Sequence, residues 1–125
     1  MNENEISYQI IGASIKVHKS VGPGLLESAY ENALKYELEK LELVVDQQVT
    51  LPFIYEEVRL EAGYRIDLIV NQLVIIEIKS VEVLMPVHYA QLLTYLRLTG
   101  LKLGLLINFN TAVLKEGIHR IVNNL

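Results

Sequence analysis

The chain has 125 residues, about the length of one domain, and it carries 21 Leu, 13 Ile and 13 Val, enough branched aliphatic side chain for a real core. It has no Cys, which excludes disulfide scaffolds, thiolate zinc sites and Cys nucleophiles. Eleven Lys and Arg against fifteen Asp and Glu give a net charge of −4, the wrong sign for a protein that coats nucleic acid non-specifically. No run approaches the roughly 18 apolar residues of a membrane span. The polar, acidic start Met1-Asn2-Glu3-Asn4-Glu5 is unlike a secretory signal. The expectation is a cytoplasmic, single-domain chain over residues 1–125, with no membrane partner.

Ile6, Ile10, Ala13 and Val17 recur at helical spacing and predict a first helix ending near Ser20, where Val21-Gly22-Pro23-Gly24 breaks it. A second helix is predicted from Leu25 to about Leu43. Its apolar stripe is Leu26, Tyr30, Ala33, Leu34, Leu38 and Leu41, and its solvated face is Glu31, Lys35, Glu39, Lys40 and Glu42. Period-two, β-branched texture follows. Val44 to Val49 and Leu51 to Tyr55 read as strand material broken at Pro52, Gly63 to Val70 as a strand, and Leu73 to Ser80 as another. The nearly continuous apolar run from Leu73 to Ile76 suits a central strand covered on both faces. Pro86 opens a helix over Val87 to Thr99 that Gly100 closes. Leu101 to Phe109 is a further strand, and Ile118 to Asn124 is read as a short final helix. Three adjacent antiparallel strands, a helical crossover and another strand give an α/β fold with a mixed sheet flanked by helices.

Only two Asp occur. Asp46 is explained by a strand start, whereas Asp67 lies within Tyr64-Arg65-Ile66-Asp67-Leu68-Ile69-Val70. Ten residues on, Glu77 and Lys79 interrupt Val74-Ile75-Ile76-Glu77-Ile78-Lys79 on one face of the strand. Charges in a central strand are costly unless they pair or bind a metal. Two accounts stand at this point, a carboxylate–Lys79 ion pair on a half-exposed sheet and a metal site. The connection between the strands separates them. A two-residue turn at Asn71-Gln72 would pair Asp67 with Ile76 and put Glu77 on the other face; a three-residue loop or a bulge would pair Asp67 with Glu77.

Glu27 falls within the apolar stripe of the second helix and is expected to look inward. His88, Gln91 and Tyr95, at i, i+3 and i+7, form a polar seam on the third helix. Gln91 and Tyr95 could hydrogen-bond a phosphate or position a carboxylate, or line a plain helix surface. His88 lacks a second His at ligand spacing. No phosphate-cradling glycine loop and no nucleophile elbow occurs.

Asp67, Glu77-x-Lys79 and Gln91-x-x-x-Tyr95, following a helical Glu27, resemble the PD-(D/E)XK nuclease superfamily. The stretch Gly24-Leu25-Leu26-Glu27-Ser28-Ala29-Tyr30 is similar to the signature of its small bacterial GxxExxY proteins. The likeness continues through Arg65-Ile66-Asp67-Leu68, His88 to Leu96 and Gly104 to Phe109, from about Ile10 to Arg120; Ile66 replaces the Pro of the superfamily motif. The resemblance implies a restriction-endonuclease-like αβββαβ core and metal-assisted hydrolysis of phosphodiesters. It implies that Asp67, Glu77 and the Ile78 backbone carbonyl hold Mg²⁺ or Mn²⁺, with Glu27 directly or through water. It gives Lys79 a role in orienting water or offsetting charge, and Gln91 and Tyr95 a role at the phosphate or the carboxylates. Arg65 shares the face of Lys79 and is grouped, with His88, among the substrate-binding or positioning residues. The implied partner is nucleic acid, DNA before RNA. The small size and acidic balance suit a protein that forms a homodimer or uses a protein partner. The other reading of the same residues is a nuclease-fold module that binds nucleic acid or protein without turnover.

Overall fold

The computed structural model describes residues 1–125, with the backbone alone described at 61 and 62. Helix α1 spans Glu3–Val21 and starts on a reciprocal cap: the Glu5 N–H donates to Asn2 Oδ1 (2.8 Å) and the Asn2 N–H to Glu5 Oε1 (3.0 Å). Helix α2 spans Glu27–Lys40, shorter than its apolar spacing predicts. Leu26 and Leu41 fall outside it and are exposed, so the stripe that does bury is Tyr30, Leu34 and Leu38.

Strands β1 (Val45–Tyr55), β2 (Val58–Val70), β3 (Val74–Lys79), β4 (Leu103–Asn108) and β5 (Ile118–Val122) form one five-stranded sheet in the order β1-β2-β3-β4-β5. The first three are antiparallel neighbours, β4 is parallel to β3 after helix α3 (Pro86–Thr99), and β5 is antiparallel to β4. The expected mixed sheet flanked by helices is therefore present. Pro52 does not break β1; it coincides with a register shift between Leu51 and Phe53, the irregularity an edge strand tolerates. The predicted final helix is instead strand β5, since Ile118 and Ile121 alternate between partners along β4 rather than covering a helix face.

Helices α1 and α2 cover one face of the sheet. Ile6, Ile10, Tyr30, Leu34 and Leu38 pack there on Leu68, Val70, Ile76, Leu105 and Ile107. Helix α3 covers the other face through Leu92, Tyr95 and Leu96 on Ile66, Ile69, Ile75 and Leu106. Gly104 lets α3 approach closely: a Cβ there would lie 2.8 Å from the Leu92 side chain. No described helix is long and apolar enough to cross a membrane.

Candidate active site

The β2–β3 hairpin decides the site. Its rungs are Val70↔Val74, Ile69↔Ile75 and Leu68↔Ile76, so the connection is the three-residue loop Asn71-Gln72-Leu73. Asn71 and Gln72 carry it in left-handed conformation (φ 51° and 57°), and Asn71 Oδ1 anchors it by accepting from the Val44 N–H at 2.8 Å. The next rung in this register matches Asp67 with Glu77. Backbone pairing of β2 with β3 stops there, and the two carboxylates take over: the Asp67 N–H donates to Glu77 Oε2 and the Ile78 N–H to Asp67 Oδ2, each at 2.8 Å. Beyond this point β2 stays with β1 and β3 with β4.

The opening between them is a cavity of about 550 Å³. Glu27 and Glu31 line it from α2, Gln48 from β1, Arg65 and Asp67 from β2, Glu77 and Lys79 from β3, and Gln91 and Tyr95 from α3. Seven of the eight side chains singled out in the sequence thus line this cavity, Glu27 from the first residue of α2. His88 does not join them. It sits in the first turn of α3, where its Nδ1 accepts the Met85 N–H at 3.0 Å and turns the ring back over the helix start. At Ile78 the side chain is buried in the core beneath α1 and α2, and the N–H is the backbone group tied to a carboxylate.

Glu27 does not look inward as its place in the stripe suggests. Because α2 begins at this residue, the side chain is exposed, and it accepts the Ser80 N–H at 3.0 Å. Glu31, read as solvated surface, is the buried carboxylate of α2 (7% exposed). Its oxygens accept from Gln47 Nε2 (2.6 Å) and Gln48 Nε2 (2.7 Å). The available signal was its position one helical turn after Glu27, next to Tyr30. Tyr30 is fully buried, stacks on Phe109 at 4.4 Å and pins the loop before α2: its hydroxyl donates to the Gly22 carbonyl at 2.5 Å and accepts the Leu25 N–H at 3.1 Å. Gly24, at φ 95°, turns that loop into the helix. The glycine and tyrosine of Gly24-x-x-Glu27-x-x-Tyr30 therefore fix where α2 starts and where Glu27 and Glu31 stand.

The electrostatics follow from this crowding. Burial, then the neighbouring Asp67, push the Glu77 carboxyl up to about 8, against the opposing hydrogen bond from the Asp67 backbone and the attraction of Lys79. Asp67 is raised too, first by burial and then by Glu31, with the Ile78 N–H and Lys79 opposing. Burial and the Glu77 charge raise the Tyr95 phenol. Among the described residues the ion pairs within 4.0 Å are those of Glu37 with Lys16 and Lys40, so the Asp67 or Glu77 bridge to Lys79 that a plain structural role would require is not formed.

No three His, Asp or Glu side chains among the described residues converge as a ready ligand group. The donor chemistry still fits a hard cation. Asp67 and Glu77 each commit one oxygen to a backbone N–H, while Asp67 Oδ1 takes only a 3.4 Å contact from Gln48 and the second Glu77 oxygen takes no hydrogen bond among the described residues. Mg²⁺ is commonly held by one or two carboxylates with water completing its shell. A buried carboxylate and a half-buried one that repel each other are also the charge arrangement a divalent cation relieves.

A family model described as the PD-(D/E)XK nuclease superfamily matches residues 4–121, nearly the whole chain. The chain belongs to that superfamily. No curated protein and no solved structure matches it. Asp67 and Glu77-x-Lys79 match the letters of the superfamily's name, with Ile66 where the name has Pro, and they line one cavity where β2 parts from β3.

Proposed function

We propose that this chain is a nuclease of the GxxExxY type that hydrolyses phosphodiester bonds of DNA, or of RNA, with Mg²⁺ or Mn²⁺. The observation that carries the reading is the convergence of Asp67 and Glu77 beside a Lys79 that forms no ion pair within 4.0 Å among the described residues. Asp67 and Glu77 would hold the ion, with the Ile78 carbonyl, Glu27 or Glu31 reached directly or through water. When bound, the ion supplies a more acidic water and charge stabilisation at the phosphate. Lys79 presents a compact cation to the negative charge that builds on the phosphate as water attacks and the ester oxygen leaves. Gln91 and Tyr95, on the α3 wall, contact the phosphate backbone or fix the carboxylates in position, and the exposed Arg65 extends the cationic edge along the backbone of the substrate. His88 has no part in this scheme.

One observation favours the second reading, a module that holds a partner without turnover. The outer end of the β1–β2 hairpin exposes Ile54, Tyr55 and Val58 together. The test is incubation of the purified protein with single- and double-stranded DNA and RNA plus Mg²⁺ or Mn²⁺, beside Glu77→Ala and Lys79→Ala. Cleavage by the wild type that both substitutions abolish supports the nuclease. Cleavage persisting in both variants marks a contaminant, and binding without cleavage leaves the module.

A further inference from the structure

Gln48 stands in the middle of strand β1 with a left-handed backbone, φ 53°, a conformation a non-glycine residue adopts at a cost. The register on either side of it is unbroken, Gln47↔Leu68 and Val49↔Ile66, so the distortion is not a register shift of the β1–β2 pair. A change of face coincides with it, shared by β2, where Ile66 packs beneath α3 and Leu68 beneath α1 and α2. The core-facing residues of β1 change face across it, with Val45 packing beneath α1 and α2 and Val49 and Leu51 beneath α3. Gln48 is thereby released from the alternation of the strand. Its amide reaches the cavity mouth, where Nε2 donates to Glu31 Oε1 at 2.7 Å and lies 3.4 Å from Asp67 Oδ1. One amide group therefore spans a carboxylate from α2 and a carboxylate from β2.

We propose that Gln48 is a positioning residue of the acidic cavity: its amide, delivered by the left-handed backbone, holds the Glu31 carboxylate beside Asp67 and fixes the spacing at which the two share a cation. The inference rests on the metal-dependent reading above. An amide suits the task because it can donate to both carboxylates without adding charge. Its neighbour Gln47 grips the other oxygen of Glu31 and Asn32, a contact confined to α2. Partners of this kind, which orient a ligand without touching the metal, typically change metal affinity 10- to 100-fold when removed.

Two substitutions separate the side chain from the strained backbone. Gln48→Ala removes the amide and keeps the strain; Gln48→Gly removes both. Calorimetric Mn²⁺ titration of both variants should show affinity weakened about tenfold or more. The Gly variant should keep a metal-free Tm at or above that of the wild type. A clamp serving only the fold would lower Tm in both variants and leave Mn²⁺ affinity unchanged, which would overturn the proposal. A metal-free measurement tests the bridge by itself. In ¹H–¹⁵N spectra of the apoprotein, the Gln48 side-chain amide signals should move on Glu31→Gln and also on Asp67→Asn. Signals indifferent to both substitutions overturn the bridge even if the wild type takes up Mn²⁺. Signals that respond to both, in a wild type that takes up no Mn²⁺, overturn the metal-dependent reading and the positioning role with it.

Discussion

Glu77→Gln should make the metal-free protein more stable at pH 8 and remove much of its pH dependence. Glu77 is 4% exposed, and burial together with Asp67 raises its carboxyl from an ordinary 4.5 to about 8. A group whose pKa is raised on folding binds its proton more tightly in the folded state. Its contribution to stability is therefore full below about pH 4.5 and is lost as pH climbs to about 8. At about 1.4 kcal/mol per pH unit, the whole window amounts to about 5 kcal/mol. A domain's total stability is only about 5–15 kcal/mol, so the effect is large. The raised Asp67 acts in the same direction, and the two titrate as a pair. Glutamine keeps the shape and an oxygen to accept the Asp67 N–H, but it has no charge to bury. Urea unfolding in EDTA at half-unit steps from pH 4.5 to 8 is the assay. The wild type should weaken steadily, Glu77→Gln should weaken much less, and added Mg²⁺ should restore the wild type at pH 8. A flat wild-type profile, or one that the variant reproduces with equal slope, would refute the account of a buried Glu77 repelled by Asp67.

Lys79→Met removes a cation that pairs with no carboxylate among the described residues, so unfolding free energy should change by no more than about 0.5 kcal/mol. Cleavage should nevertheless fall by about 10²- to 10³-fold in single-turnover assays, the scale for losing one group that stabilises transition-state charge. Tyr30→Phe keeps the stack on Phe109 but strands the Gly22 carbonyl and the Leu25 N–H, and should cost about 1–2 kcal/mol in urea unfolding. Gly117→Ala places a Cβ 2.2 Å from the backbone oxygen of Asn108, where no side chain can yield. It should cost about 3 kcal/mol and show as a clear fall in Tm, since the end of β4, where Asn108 pairs with Lys79, must move.

What the sequence determined by itself was the set of elements and the chemical vocabulary. Helical spacing marked α1, Pro86 and Gly100 bounded α3, and β-branched alternation marked the central strands, because these signals act over one or two turns of local chain. Asp67, a Glu-x-Lys in an apolar strand and a Gln and Tyr one turn apart were visible as anomalies against that background, and all of them line the cavity. Local signals failed where the outcome depended on neighbours. The last segment became β5 because β4 offered an open edge, a long-range pairing that its own composition does not announce. Glu27 and Glu31 exchanged their expected burial because α2 starts at Glu27, a boundary set by Tyr30 gripping the preceding loop. Gln48 gave no signal at all, since a left-handed residue within a strand is a feature of the packed sheet. The tertiary structure alone decided whether Asp67 and Glu77 would face each other. A side-chain period of two makes that face depend on a single residue of loop length, and Asn71-Gln72-Leu73 supplies the odd one.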